Sequence, residues 1–277
     1  MEKTTVFLSD WQVLFREGIH FTLCGEEDIE VIGEATSAAD SIPLIESNPP
    51  RVAILNANNG TPSGIDVTRR IKHSLPAVSV MLVVDSDNEE QLFAAIKSGA
   101  SACITKDIDP DDLINLVIEV AQGRRPICET FRRPGIAARV LDEFEAFFSI
   151  GQQAGNILTR LTPREAEILR HISNGSSIEQ VNETLGISKE DINYQFELTL
   201  QKLVTNDHDR EIIETMQSSL LQSTTVNVSG QPTADYITKE EFDEFKADIR
   251  EHFKNFINNA RAKGVTDGTT LERQRGE

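Results

Sequence analysis

The 277-residue chain is short of basic charge, of cysteine and of long apolar runs, and each shortage narrows what it does. Lys and Arg number 27 against 45 Asp and Glu, a net charge of −18. That balance favours solubility and works against non-specific adhesion to nucleic acid or anionic membranes. The longest apolar stretches, such as Val78–Val84 and Leu113–Val120, fall well short of the ~20 residues of a membrane span. The opening Met-Glu-Lys-Thr-Thr runs into a strand pattern and has no signal-peptide layout, so a cytoplasmic protein is expected. Cys24, Cys103 and Cys128 contain no CxxC spacing, which argues against a disulfide framework or a zinc site. Reduced, mostly buried thiols are expected instead. His20, His73, His171, His208 and His252 are scattered without metal-ligand spacing. A glycine-rich phosphate loop, a nucleophile elbow and paired catalytic acids are all missing, so neither an enzyme, a metal nor a cofactor is expected.

What is present is a regular alternation. Apolar strand patterns at Thr5–Leu8, Ile29–Gly33, Val52–Leu55, Val78–Val83 and Ala102–Thr105 alternate with helical patterns. The helices are expected at Gln12–Cys24, Ala38–Ser47, Ile65–His73, Glu89–Ser98 and Pro110–Gln122. Near-continuous apolar strands between amphipathic helices predict an α/β domain over residues 1–123, a parallel sheet covered on both faces. Function in such a sheet sits at the carboxyl ends of the strands. Those ends are Ser9-Asp10-Trp11, Asn56-Ala57-Asn58, Val84-Asp85 and Thr105-Lys106.

Residues 124–160 read as a linker. Gly123-Arg-Arg-Pro126 stops the fifth helix and Arg132-Arg133-Pro134-Gly135 breaks the chain again. An amphipathic helix follows between Ile136 and Ile150, with Val140, Leu141, Phe144, Phe147 and Phe148 on its apolar side. Residues 161–222 read as a small all-α domain. Thr162-Pro163-Arg164-Glu165 is a capping-box start, and Asn174-Gly175 ends that helix. A second helix spans Ser177–Leu185, Gly186-Ile187-Ser188 is a tight turn, and a third helix runs to about Val204. This is a helix-turn-helix layout. A further helix is expected over Asp209–Leu221.

Residues 223–237 read as a flexible linker, 238–263 as a C-terminal amphipathic helix and 264–277 as a disordered tail. Phe242, Phe245, Ile249 and Phe256 lie on one stripe at 3- and 4-residue steps, with His252 completing the series and Phe253 beside it. Three heptads are marginal for an independent coiled coil, so the stripe packs on its own protein, on a twin copy or on a protein partner. Phe242, Phe245, Ile249, Phe253 and Phe256 are the self-association candidates.

Several local motifs together resemble the NarL/FixJ family of response regulators, a receiver domain joined to a LuxR-type helix-turn-helix. In the first domain they are Asp10 with Arg16-Glu17-Gly18, and Gly99-Ala100 leading to Thr105-Lys106-Asp107 and Pro110-Asp-Asp-Leu113. In the second they are Leu161-Thr-Pro-Arg-Glu165, Asn174-Gly175 and Leu185-Gly-Ile-Ser188. The resemblance implies a (βα)5 flavodoxin-like receiver and a DNA-binding output domain, working as a homodimer.

Several positions depart from that pattern. Active receivers hold Mg²⁺ with two acidic residues after the first strand plus a phosphoacceptor aspartate. Here Asp10 matches the first acid, while Trp11 and Asn56 occupy the other two positions. An amide lacks the anionic oxygen that phosphoryl transfer requires, and one carboxylate is a poor start for a hard divalent ion. Val84 replaces the hydroxyl residue that would meet a phosphoryl group, and Cys103 replaces the aromatic switch residue. Asp10 and Lys106 survive, and a surface ion pair between them is the plain expectation. Trp11 is expected to plug the old pocket or to line a site for another ligand. The whole reads as a degenerate pseudo-receiver, used for dimerisation or partner binding.

The output domain departs too. From Leu161 to Val204 there are four basic and seven acidic residues, net −3 on a module that usually carries positive charge. Asn193 and Gln195 retain the capacity to read adenine edges, and Tyr194 to reach phosphate. Lys189 and Lys202, helped by Arg164 and Arg170, are the candidate backbone contacts. Asn182 replaces a small apolar residue where the two helices cross, and looser packing is expected there. Two readings stay open: a phosphorylation-independent DNA-binding regulator, or an adaptor that no longer binds DNA and pairs with a related regulator.

Overall fold

The computed structural model describes residues 3–58, 60–153 and 158–223, with side chains left undescribed at 149–153, 214 and 216–223. The segment carrying Phe242, Phe245, Ile249, Phe253 and Phe256 lies outside the described residues. The chain divides into two compact units, Met1–Phe144 with Leu161–Thr205, and Glu145–Arg160 with Asn206–Glu277.

The first unit opens with five βα repeats: β1 (Thr4–Ser9), α1 (Val13–Cys24), β2 (Ile29–Ala35), α2 (Ala38–Ser47), β3 (Val52–Asn56), α3 (Gly64–Ser74), β4 (Ser79–Val84), α4 (Glu89–Ser98), β5 (Ala102–Thr105) and α5 (Pro110–Ala121). The strands form one parallel sheet in the order β2-β1-β3-β4-β5, the flavodoxin-like arrangement expected. Every element lies within two residues of its sequence-based range. The central strand β3 is buried along its whole length, which explains its unbroken apolar run Val52–Leu55. Val6, Leu8, Ile54, Met81 and Val83 from the sheet meet Ile19 and Leu23 of α1 and Val117 and Val120 of α5 in one core.

Side-chain caps fix where the helices begin. Ser63 and Asp66 form a reciprocal capping box at α3, with Ser63 N–H donating to Asp66 at 2.9 Å. Asn88 caps α4 and Asp109 caps α5 ahead of Pro110. Gly99 closes α4 at φ +84°, in the left-handed region that a side chain resists.

The connecting segment differs from its expected form. Arg132-Arg133-Pro134-Gly135 does not simply break the chain. A 3-10 helix (Pro126–Arg132) packs against β5, and Pro134 opens α6 (Pro134–Gln153). Proline at a first helical position loses no hydrogen bond, so it starts a helix as readily as it stops one. Val140, Phe144 and Phe147 of α6 are buried, while Phe148 is exposed and Leu141 half-buried.

The output helices are α7 (Pro163–Ser173), α8 (Ile178–Leu185) and α9 (Lys189–Ser223). The expected end near Val204 and restart near Asp209 do not occur. Thr205-Asn206-Asp207-His208 contains neither glycine nor proline, so nothing stops the backbone ladder and α9 continues. The Asn182 side-chain amide donates to the Ile187 carbonyl and ties the α8–α9 connection together.

In the second unit, Asn206 satisfies the Thr159 backbone twice, donating to its carbonyl at 2.7 Å and accepting from its N–H at 2.8 Å. Arg210 pairs with Asp207 at 2.9 Å and lies over the buried Phe147 ring.

Among the described residues no helix is long and apolar enough to cross a membrane. The cysteines differ from expectation, because Cys24 is exposed, Cys103 intermediate and only Cys128 fully buried. Burial, with Asp87 nearby, pushes the Cys103 thiol up to about 12. Burial and then Glu197 push Cys128 to about 12 as well. Both stay protonated and unreactive at neutral pH.

The start of α3 makes the fold testable. Gly64 N–H donates to the Ala57 carbonyl, and a Cβ on Gly64 would collide with the Asn56 carbonyl. Gly64→Ala should therefore cost about 1–3 kcal/mol through forced backbone movement, read as a lower urea midpoint.

Candidate functional site

The carboxyl ends of β1, β3, β4 and β5 bring Asp10, Asn56, Val84 and Lys106 to one edge of the sheet, beside the crossover between β1 and β3. Asp10 and Asn56 are buried at 3% and 2% exposure. Asn56 Nδ2 donates to Asp10 Oδ2 at 2.7 Å, and Gln12 N–H donates to Asp10 Oδ1 at 2.7 Å. Asn56 Oδ1 accepts from Asn58 N–H at 2.9 Å. Both ends of the amide are thus assigned by their partners, so its orientation is fixed.

The network continues outward. Asn58 Nδ2 donates to Asp85 Oδ2 at 2.8 Å, and Lys106 Nζ donates to Asp85 Oδ1 at 2.8 Å. Hydrogen bonds from Lys106 and Asn58 hold the Asp85 carboxyl below the usual range. The expected Asp10–Lys106 pair is therefore replaced by Asp85–Lys106. The reason is depth: Asp10 already has buried donors from Asn56 and Gln12, while Asp85 and Lys106 meet nearer the surface. Asn58 and Asp85 are site residues that sequence reasoning missed as such. Their position at strand ends was the available signal.

The Mg²⁺ that the receiver resemblance implies does not fit this donor set. Both oxygens of Asp10 accept protein hydrogen bonds, and the amide nitrogen of Asn56 points at the carboxyl where a cation would have to sit. Among the described residues no three His, Cys, Asp or Glu side chains gather as a metal site. Val84 is buried and offers no hydroxyl, and Cys103 is half-buried on β5. Trp11 is 57% exposed, at odds with a ring folded down as a plug.

Behind the pocket, the buried Arg16 ties β1 to β2. Its Nη1 donates to the Asp10 carbonyl at 2.9 Å and its Nε to Glu34 at 2.8 Å. His20 bonds the other Glu34 oxygen. Burial pushes the Glu34 carboxyl upward, but the bonds from His20 and Arg16 outweigh it and hold the group below its usual 4.5.

In the output domain the candidate contacts meet different fates. Lys202 Nζ donates to both oxygens of Glu165, at 2.7 and 2.6 Å. Glu165 is buried and also caps α7 by accepting from Thr162 N–H at 2.7 Å. A buried carboxylate needs its cation, so Lys202 is a structural residue and not the expected backbone contact. Lys189 pairs with the exposed Glu179 at 2.7 Å and holds that carboxyl down to about 2. Arg164, Arg170 and Tyr194 are exposed, and Gln195 is half-buried. Asn193 is exposed at the start of α9, yet its Oδ1 accepts from Arg132 Nη2 at 3.2 Å. Beside it Phe131 of the 3-10 helix meets Phe196 of α9, ring centroids 5.5 Å apart. Neither Phe131 nor Arg132 stands out in the sequence, because their partners are more than 60 positions away.

The sequence has counterparts among known proteins. Residues 6–118 match the response regulator receiver domain, and residues 159–213 match the bacterial regulatory proteins of the luxR family. The chain is 28% identical to the uncharacterized transcriptional regulatory protein YxjL of Bacillus subtilis over 223 residues, covering 80% of this chain and 99% of that one. It is 27% identical to the transcriptional regulatory protein DegU of Brevibacillus brevis over 227 residues, 78% of this chain and 94% of the relative. The signal receiver domain of NarL from Mycobacterium tuberculosis is similar at 28% identity with a TM-score of 0.44, over 45% of this chain and 100% of that domain.

Two predictions follow from the ion pairs. Lys202→Met should strand Glu165 and cost about 3–5 kcal/mol in urea unfolding, whereas Lys189→Ala should leave the melting temperature unchanged. The lowered Glu34 carboxyl stabilises the fold above pH 4.5, and that contribution is lost as pH falls through its folded value. Glu34→Gln should therefore be less stable than the parent at pH 7, with the gap closing in thermal melts as the pH drops below 4.5.

Proposed function

Since this chain is a response-regulator receiver domain joined to a LuxR-family helix-turn-helix domain, we propose that it is a cytoplasmic DNA-binding transcription regulator that works without phosphorylation. The observation that carries the proposal is the bond from the Asn56 amide to Asp10. Phosphoryl transfer to a receiver needs an anionic oxygen at the end of β3 and a cation beside it. The amide supplies neither, and it fills the cation's place with a hydrogen-bond donor. The receiver domain then serves as a scaffold for dimerisation or partner binding.

DNA contact in this reading falls to Asn193, Gln195 and Tyr194 on α9, with Arg164 and Arg170 on phosphates. Avidity between two half-sites offsets the weak electrostatics of an acidic module. Arg132 competes with DNA for the Asn193 amide, so DNA engagement requires that contact to open.

A second reading has its own support. Lys202 is committed to Glu165 and Lys189 to Glu179, which leaves Arg164 and Arg170 against the five remaining acidic residues between Leu161 and Val204. On that footing the domain is a protein-interaction adaptor pairing with a related regulator.

The readings separate by experiment. Acetyl phosphate with Mg²⁺ should leave the intact mass unchanged; a phosphoryl adduct that disappears in Asn56→Ala would refute phosphorylation independence. In a genome-wide DNA pulldown at about 50 mM salt, where phosphate contacts are strongest, the chain should retain specific fragments. Arg132→Ala should tighten that binding several-fold by freeing Asn193. No retained DNA, with a protein partner co-purifying, would favour the adaptor.

A further inference from the structure

Among the described residues α9 is the longest helix, and its middle is its weakest stretch. Thr205-Asn206-Asp207-His208-Asp209 is a run of five poor helix formers. The Thr205 hydroxyl also bonds back to the Gln201 carbonyl at 2.9 Å, a contact that bends helices. The helix nevertheless runs unbroken from Lys189 to Ser223.

This stretch is deeply covered. Asn206, Asp207, Asp209 and Ile213 are all buried, none above 3% exposure. On a helical projection they span a sector of about 160°, from Asp209 round to Asp207. Thr159, through Asn206, and Phe147 of α6, under Arg210, meet the middle of that sector. A single neighbour covers a stripe of about 100°, so a second element belongs on the Asp209–Ile213 side. A carboxylate as deep as Asp209 is held by a cation, so that element is both apolar and basic.

The C-terminal segment has this composition. The YxjL relative matches 80% of this chain and 99% of itself, so a fifth of this chain has no counterpart there. Within the extension, Thr238 and Glu241 have the spacing of a capping box, and Gly264 supplies a stop. Between them the stripe from Phe242 to Phe256 is edged on one side by Lys246, Arg250 and Lys254 at four-residue steps. Glu240, Glu244 and Glu251 fall on the side away from the stripe.

From this we propose that residues 238–263 form an amphipathic helix that returns antiparallel along α9 and docks in cis on its Asp209–Ile213 side. The stripe closes over Ile213, and the basic edge faces Asp209 and Glu145. Residues 224–237 join the two helices, and as flexible coil they span about 20 Å. An antiparallel return begins beside Ser223, so this length has only to turn the chain. The stripe, about 21 Å from end to end, lies within the roughly 27 Å of α9 beyond Thr205. A tether of this kind holds the helix at about millimolar effective concentration, far above that of a second copy in dilute solution. The docked helix then keeps the weak stretch helical, and its departure lets α9 break between Thr205 and Asp209.

Hydrogen exchange read by mass spectrometry on the full-length chain tests this. In Phe245→Glu with Ile249→Glu, amides of residues 205–213 should exchange at least about tenfold faster, with α7 and α8 unchanged. A second measurement needs no variant. Carbodiimide joins carboxylates to lysine amines, and a mixture of ¹⁴N- and ¹⁵N-labelled chains separates links within a copy from links between copies. Lys246 or Lys254 should join Asp209 or Glu145 within one copy. Unchanged exchange in the double variant would overturn the inference. Links confined to mixed-isotope pairs would overturn it in favour of a second copy, and protection of 205–213 that appears only with another protein present would overturn it in favour of a foreign partner. Neither readout involves DNA, so the regulator and adaptor readings stand or fall separately.

Discussion

One hydrogen bond, from the Asn56 amide to the Asp10 carboxyl, organises the functional end of the first domain. Both side chains are buried, and a buried carboxyl requires a partner. Cations, protons and hydrogen-bond donors all meet that requirement, and this chain uses a donor. Neighbouring groups arrange themselves around the choice. Gln12 N–H takes the other Asp10 oxygen, and Asn58 N–H anchors the amide oxygen. Lys106, with no reason to reach inward, settles on Asp85. Hydrogen bonds involving a charged group contribute about 1.5–3 kcal/mol each, so the network stabilises the pocket in one closed arrangement.

The same economy shapes the output domain. Glu165 is placed to cap α7 and is too deeply buried to stand alone, so Lys202 is drawn to it from α9. Ser188 and Asp191 cap the start of α9, with Ser188 Oγ accepting from Asp191 N–H at 3.0 Å and acid favoured at a helix N-terminus. The residues that make the helices firm are therefore those that oppose phosphate. Fold stability and DNA affinity compete for the same positions here, and the sequence resolves the competition toward stability. Tyr194 and Gln195 sit outside that conflict, while Asn193 is held by Arg132.

Much of this was legible beforehand. Five strands and five helices of the first domain appear as alternating patterns, because a parallel sheet covered on both faces demands unbroken apolar strands such as Val52–Leu55. Thr162-Pro163-Arg164-Glu165 announces α7, since capping is a local affair of four residues. Asn56, Val84 and Cys103 flag a departure from the receiver pattern by identity alone. What stayed hidden was non-local. Asp85 as the partner of Lys106, Glu165 as the partner of Lys202, and Arg132 against Asn193 join residues 21, 37 and 61 positions apart. Two local judgements also failed. Pro134 reads equally as a stop or a start, and a helix without a breaker at Thr205–His208 continues whatever the spacing of its apolar face suggests.

The sequence by itself determined the order of elements, the absence of an acceptor carboxylate at the end of the third strand, and the acidic balance of the output domain. These follow from residue type and short-range periodicity, which need no knowledge of what lies across the fold. Only the tertiary structure decided which donor satisfies Asp10 and which lysine is removed from the surface by a buried glutamate. Each of those depends on depth, and depth belongs to the packed sheet and its helices together, because burial is what turns a side chain's need for a partner into a choice among distant ones.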